Sequence, residues 1–166
     1  MLSFDDIWQQ YYTKLRVYGR SFSRLSEDDI EDAVQDIMIT VHRRLTDYDP
    51  TWAFSTWIYR IARNRFIDFQ RKNQRRNLFS IAPIPDFIKN IECSHDETAK
   101  VDRDSDLARA LNHLSDTRRE IFFWFYGEDM SIAEISAVTG MSQGTVKSHL
   151  HRGRRILAAE LEEDYG

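Results

Sequence analysis

Hydrophobic residues return at helical spacing in three stretches of the chain. In LSEDDIEDAVQDIMITVHRRL, residues Ile30, Ala33, Val34, Ile37, Met38 and Val41 fall on one stripe. Ser26 and Asp29 resemble a capping box, and Leu25 and Ile30 stand where a hydrophobic staple would pack. Asp49-Pro50 then interrupts the pattern, because the residue before proline disfavours helix. The second stretch, FSTWIYRIARNRFIDFQRK, keeps the period through Phe54, Trp57, Ile58, Ile61, Ala62, Phe66 and Phe69. The third is SIAEISAVTGMSQGTVKSHLHRGRRIL. Ser131 and Glu134 form a second box, with Met130 and Ile135 as its staple, so the spacing predicts a helix from Ile132. Ile132, Ile135 and Val138 share a face, and Gly140 suits a left-handed stop. Ser142 can cap a further helix, whose buried stripe is Val146, Leu150, Gly153 and Leu157. The pattern is all-α. Residues 77–104, with Pro83, Pro85 and the acidic run ECSHDETAKVDRDSD, show no sustained period and read as a linker. Fully extended, such a segment reaches roughly 90 Å.

The polar faces of these helices differ. Opposite the Val146–Leu157 stripe lie Gly144, Ser148, His151, Arg152 and Arg155, flanked by Lys147 and Arg154. Arginine can pair bidentately with guanine, and Ser, His and Lys can reach base edges or phosphates. Two short helices, a glycine turn and a cationic outward face describe a helix-turn-helix. In the second stretch, Arg60, Arg63, Arg65, Arg71 and Lys72 surround the aromatics. That mixture suits unstacked single-stranded bases, which need a π-face and phosphate neutralisation. Trp57 and Phe66 read as packing residues, while Trp52 and Phe54, near the break, are more open candidates for base contact. Opposite the Ile30–Val41 stripe stand Glu31, Asp32, Gln35 and Asp36; this face is either solvated or a docking surface for a protein partner.

Charge sharpens the picture. The 166-residue chain is acidic overall, with 27 Asp+Glu against 23 Lys+Arg. Yet residues 60–76 hold seven basic side chains and one acidic one, and residues 142–157 hold four basic and none acidic. A nucleic-acid binder needs a local positive footprint, not a positive total. An apolar content of 42% allows a packed core. One cysteine, Cys93, cannot form an internal disulfide and fits a reducing cytoplasm. There is no signal-peptide pattern at the N-terminus and no apolar run of membrane-spanning length, so no membrane association is expected.

With these features in place, the chain resembles the extracytoplasmic-function sigma factors of bacterial RNA polymerase. DIEDAVQDIMITVHRRL followed by FSTWIYRIARNRFIDFQRK is similar to the family's region 2. LSDTRREIFFWFYGEDMSIAEISAVTGMSQGTVKSHLHRGRRIL is similar to region 4. The resemblance implies two small helical domains joined by a flexible linker: a region 2 bundle over 1–76, an acidic linker over 77–104 and a region 4 helix-turn-helix over 105–166. It further implies that Asp32, Gln35 and Asp36 bind core polymerase. The segment from Trp52 to Lys72, through Trp52, Phe54, Arg60, Arg63, Asn64, Arg65, Arg71 and Lys72, would recognise and melt the downstream (minus-ten) element. A loop around Asn64 and Arg65 would hold a flipped non-template base. Thr145, Lys147, Ser148, His151, Arg152, Arg154 and Arg155 would read the upstream (minus-thirty-five) element. The implied partners are core RNA polymerase, promoter DNA as duplex and melted strand, and an anti-sigma factor, a common partner in the family. No cofactor and no enzymatic activity are implied. The aromatic run IFFWFYGED departs from the family pattern, which bears on local packing.

The competing reading is a stand-alone helix-turn-helix regulator, which would bind duplex DNA without polymerase. Against it, the N-terminal half shows no Gly-rich pocket loop, metal cluster or helix–strand alternation. A recombinase with a DNA-binding tail is a third reading, but Asp28, Asp29, Asp32 and Asp36 carry no metal-site pattern. Cys93 and His95 lack a second ligand pair, so no metal site is expected.

Overall fold

The computed structural model describes residues 2–79 and 101–165; most of the segment read as a linker, with Cys93 and His95, lies outside them. Among the described residues, seven α-helices run in the order α1 (Phe4–Gly19), α2 (Glu27–Arg44), α3 (Phe54–Phe79), α4 (Val101–Asn112), α5 (Asp116–Phe122), α6 (Ile132–Thr139) and α7 (Gln143–Tyr165). Helix therefore occupies both ends of the linker segment, residues 77–79 and 101–104.

The stripe of α2 is buried as its spacing predicts, from Ile30 to Val41. Its N-terminus carries the reciprocal box: the Ser26 hydroxyl accepts from the Asp29 amide, and the Asp29 carboxylate accepts from the Ser26 amide. After Arg44 the chain tightens into a 3-10 turn over Leu45–Asp47. Asp49 then accepts from the Thr51 amide at 3.0 Å, a local turn that replaces helical bonding beside Pro50.

Helix α1 is absent from the expectations above, although its signals are present. Ser3 and Asp6 form a third capping box, and Ile7, Tyr11, Leu15 and Tyr18 make a buried stripe. This stripe packs on α3 through aromatic edges, with Tyr11 and Tyr18 meeting Tyr59 at 6.2 and 5.7 Å and Tyr18 meeting Phe66 at 5.4 Å.

In the C-terminal half, Ser131 and Glu134 close the predicted box at the start of α6. Gly140 ends that helix at φ 77°, a conformation that costs a side chain. The Ser142 hydroxyl accepts from the Thr145 amide at 3.2 Å and caps α7. Gly153 sits in the α7 stripe because the Phe122 ring fills its place. A Cβ there would lie 2.3 Å from a ring carbon.

Between α5 and α6, the aromatic run forms a π-helical turn over Phe123–Gly127. Its wider register turns Trp124 wholly inward, and the Met130 amide donates to the Trp124 carbonyl at 2.9 Å. Trp124 and Phe123 reach across to Tyr18 at ring distances of 5.1 and 5.5 Å. The buried residues of both halves thus join in one apolar cluster, from Ile7 to Leu150. Polar contacts reinforce the junction. Tyr18 donates to Glu120 at 2.7 Å, and the Ser23 amide and hydroxyl each donate to Asp116 at 3.2 Å. Lys14 pairs with Glu128 at 3.3 Å.

Candidate nucleic-acid interface

Helix α3 carries the first cationic surface. Ile58, Tyr59, Ala62 and Phe66 anchor it in the core, so Arg60, Asn64, Arg71 and Lys72 are turned outward and exposed. Asn64 and Arg65 stand inside an uninterrupted helix, not in the expected loop. The apolar period continues through Phe66 and Phe69, and no glycine or proline breaks it, so the backbone bonds win over the weak helix propensity of one asparagine. The helix instead borders a polar depression of about 470 Å³ between α2 and α3. Trp57, Arg60, Asn64 and Arg65 wall it from α3, and Thr40 and Arg44 from α2; Asp68 also lines it. Its volume is within the range of pockets that hold small organic groups. Arg65 donates to the Thr40 hydroxyl at 3.3 Å, which fixes the guanidinium at the rim.

The other expected residues of this surface divide. Trp52 is 56% exposed, whereas Phe54 packs among Tyr11, Tyr48 and Trp57. Arg63 turns toward the C-terminal half, with Nε 3.4 Å from Glu120 Oε1. Glu120 is only 3% exposed. Burial raises its carboxyl above the usual range, against the lowering effects of the Arg63 charge and the Tyr18 hydrogen bond.

The second cationic surface is the outward side of α7. Val146, Leu150 and Gly153 are buried, and Thr145, Lys147, Ser148, His151, Arg152, Arg154 and Arg155 are exposed. His149, on the flank between them, is held below the usual histidine range by burial and by the charges of Arg118 and Arg152. It is thus biased to the neutral form and adds little to the positive footprint. Arg154 is tied down by the protein itself: its Nε donates to the Tyr126 hydroxyl at 2.6 Å.

On α2, Asp32 and Gln35 are exposed and Asp36 is half-buried. Beside them runs an apolar groove of about 420 Å³ lined by Phe4, Trp8, Tyr12, Met38, Ile39 and His42, with Gln35 on its edge. No sequence pattern announces this groove, because part of its wall comes from α1. Among the described residues there is no cluster of three metal-ligating side chains, and no helix is long and apolar enough to cross a membrane.

Two cationic helices in one chain, one beside a polar depression and one in a helix-turn-helix, agree with the family models that match. Residues 7–76 match Sigma-70 region 2, and residues 105–157 match Sigma-70 region 4. The chain belongs to the extracytoplasmic-function sigma factors of RNA polymerase. It is 32% identical to the ECF RNA polymerase sigma factor SigM of Mycobacterium tuberculosis over 94% of this chain and 76% of that protein. Against SigW of Bacillus subtilis the identity is 26%, covering 97% of this chain and 90% of that one. Two solved structures superpose on nearly the whole sigma factor. One is the sigma factor RpoE of Bartonella quintana in complex with the anti-sigma factor NepR, with TM-score 0.77, 26% identity and 96% of both chains covered. The other is CnrH in complex with the cytosolic domain of CnrY, with TM-score 0.66, 26% identity, and 97% of this chain and 88% of that one covered. The protein is therefore a transcription initiation factor and not a stand-alone regulator.

Proposed function

We propose that this sigma factor works through three surfaces, spread over a region 2 domain at 1–76, a linker at 77–104 and a region 4 domain at 105–166. Asp32, Gln35 and Asp36 dock on core polymerase, and the apolar groove beside Gln35 adds buried area to that contact. Trp52, Arg60, Asn64, Arg65, Arg71 and Lys72 engage the melted downstream element, with one flipped base entering the α2–α3 depression. A flipped base exposes its Watson–Crick edge, and an asparagine amide offers both a donor and an acceptor to meet it. The exposed residues of α7 engage the upstream element as duplex. Region 4 supplies positioning and recognition, with no catalytic group of its own, and the protein acts in the cytoplasm.

The observation that carries this reading is the pairing in one chain of an α3 depression walled by arginines and Asn64 with an α7 whose outward residues are all exposed. An anti-sigma factor is a further partner. The support is that the RpoE relative was solved with the anti-sigma factor NepR, and that the likeness extends over almost the entire chain. The test is run-off transcription with core polymerase on a library of promoters. A shared pair of upstream and downstream motifs among the transcribed members is expected. Tight, specific duplex binding by the protein alone, without polymerase-dependent initiation, would overturn the proposal.

A further inference from the structure

The aromatic run of the π-helical turn has a second, outward side. Phe123 and Trp124 serve the junction between the halves, but Phe125 and Tyr126 face α7, and Tyr126 is 53% exposed. Their rings meet edge-on at 5.0 Å and 82°. The Arg154 guanidinium carbon lies 5.7 Å from the centroid of each, and its Nε donates to the Tyr126 hydroxyl at 2.6 Å. None of the ion pairs among the described residues includes Arg154.

We infer that Tyr126 and Arg154 form a joint cradle for a DNA backbone phosphate at the edge of the upstream-element surface, with Tyr126 as the residue that positions the guanidinium. The inference rests on the reading of α7 as the upstream-element helix. With Nε engaged, the two terminal nitrogens of Arg154 remain to donate. The hydroxyl accepts from Nε and keeps its own proton for a second phosphate oxygen. Together they present convergent donors to one anion, the geometry that phosphates favour over a point charge. The two ring contacts restrict a long side chain before DNA arrives, so less freedom is lost on binding. Lys147 stands on the same flank of α7, seven residues earlier and about 10 Å along the axis, so the two cations can follow one strand of the backbone. The contact is to the phosphate, and it positions the helix without reading sequence.

The test uses the full chain with core polymerase, measuring promoter affinity across upstream-element variants and a salt series. Tyr126→Phe keeps the ring and removes the hydroxyl. It is expected to weaken binding by about three- to ten-fold, equally on every upstream sequence. Arg154→Ala should do the same and lower the salt slope by about one. Arg154→Lys keeps the charge but has no Nε, and should match Tyr126→Phe with the slope retained. The double variant Tyr126→Phe/Arg154→Ala should lose less than the sum of the two single losses. A residue that merely supported the fold would give additive losses. Unchanged or tighter binding by Tyr126→Phe, additive losses, or losses confined to particular upstream sequences would each overturn the cradle. The underlying reading fails separately. If affinity ignores the upstream sequence in the parent protein, α7 is not the reading helix; if that dependence is intact and Tyr126→Phe is silent, only the cradle is wrong.

Discussion

Helices α3 and α7 carry the same kind of cationic side chain in opposite surroundings. Around α3, packing comes from α1, α2 and the C-terminal half, so its arginines are partly shared with the protein. Arg63 faces Glu120 and Arg65 bonds Thr40. Around α7, the buried strip is narrow and almost every polar residue from Thr145 to Arg155 reaches solvent. The difference suits the two forms of DNA proposed for these helices. A melted strand with a flipped base needs walls, which α3 has because other helices build them. A duplex groove needs a protruding ridge, which α7 provides because little covers it.

The contrast depends most heavily on the junction between the halves. Trp124→Ala removes a fully buried indole that touches Tyr18 and Tyr59. A loss of about 3–5 kcal/mol is expected, read by urea denaturation with probes in each half. If only the C-terminal half loses stability, the shared core is not cooperative.

Next in size is Glu120→Ala, which strips the Tyr18 hydroxyl and Arg63 of their carboxylate. A cost of roughly 1.5–3 kcal/mol follows from hydrogen bonds to a charged group. The neutral isostere Glu120→Gln isolates the charge through pH. The Glu120 carboxyl is raised in the folded protein, so its contribution is fully present below the unfolded value and is lost as pH rises through the folded one. The parent should therefore lose stability relative to Glu120→Gln as pH climbs through the carboxylate range. A flat difference between the two would show that burial does not perturb this group.

The two cationic surfaces can then be compared directly. Arg152→Ala on α7 is expected to cost about 1–3 kcal/mol at one upstream position, seen as relaxed specificity on duplex DNA. Asn64→Ala on α3 should leave duplex binding alone and abolish discrimination among bases at one downstream position on pre-melted templates. If both variants act on duplex DNA alike, the division between ridge and walled depression is wrong.

The smallest effects come from the caps. Ser131→Ala opens the box at α6 and Ser26→Ala the one at α2; each should cost about 1 kcal/mol. Hydrogen exchange should place the Ser131 loss in the first turn of α6. Loss of the whole C-terminal half would mean that the cap is needed for more than its own helix.

Much of the fold is legible in the letters alone. The boxes at Ser26 and Ser131, the stop at Gly140 and the stripes of α2, α3 and α7 are local patterns, and local patterns survive in a string of residues. Even Gly153, odd in a buried stripe, keeps its place in the period. Helix α1 is equally legible, through Ser3, Asp6 and the Ile7–Tyr18 spacing, though the expectations did not include it. The loop expected around Asn64 fails for a local reason as well: a polar residue between two arginines resembles a break, while the flanking apolar period says otherwise. The walls of the α2–α3 depression, the groove between α1 and α2 and the partner of Arg63 have no such signature, because each joins residues far apart in the chain.

Local sequence thus sets the helices, their caps, their buried faces and the two islands of positive charge. These follow from interactions within about four residues, where backbone geometry fixes which side chains meet. Which of the charges are available is settled by packing alone. Arg63 and Arg152 are indistinguishable as letters on helical faces, yet Arg63 is drawn to the buried carboxylate of Glu120, on a helix of the other half, and Arg152 is left to solvent. The physical reason is desolvation. Once Trp124 and Tyr18 exclude water around Glu120, that carboxylate needs a nearby cation and a hydroxyl, and the helices that can supply both are set by how the two halves pack.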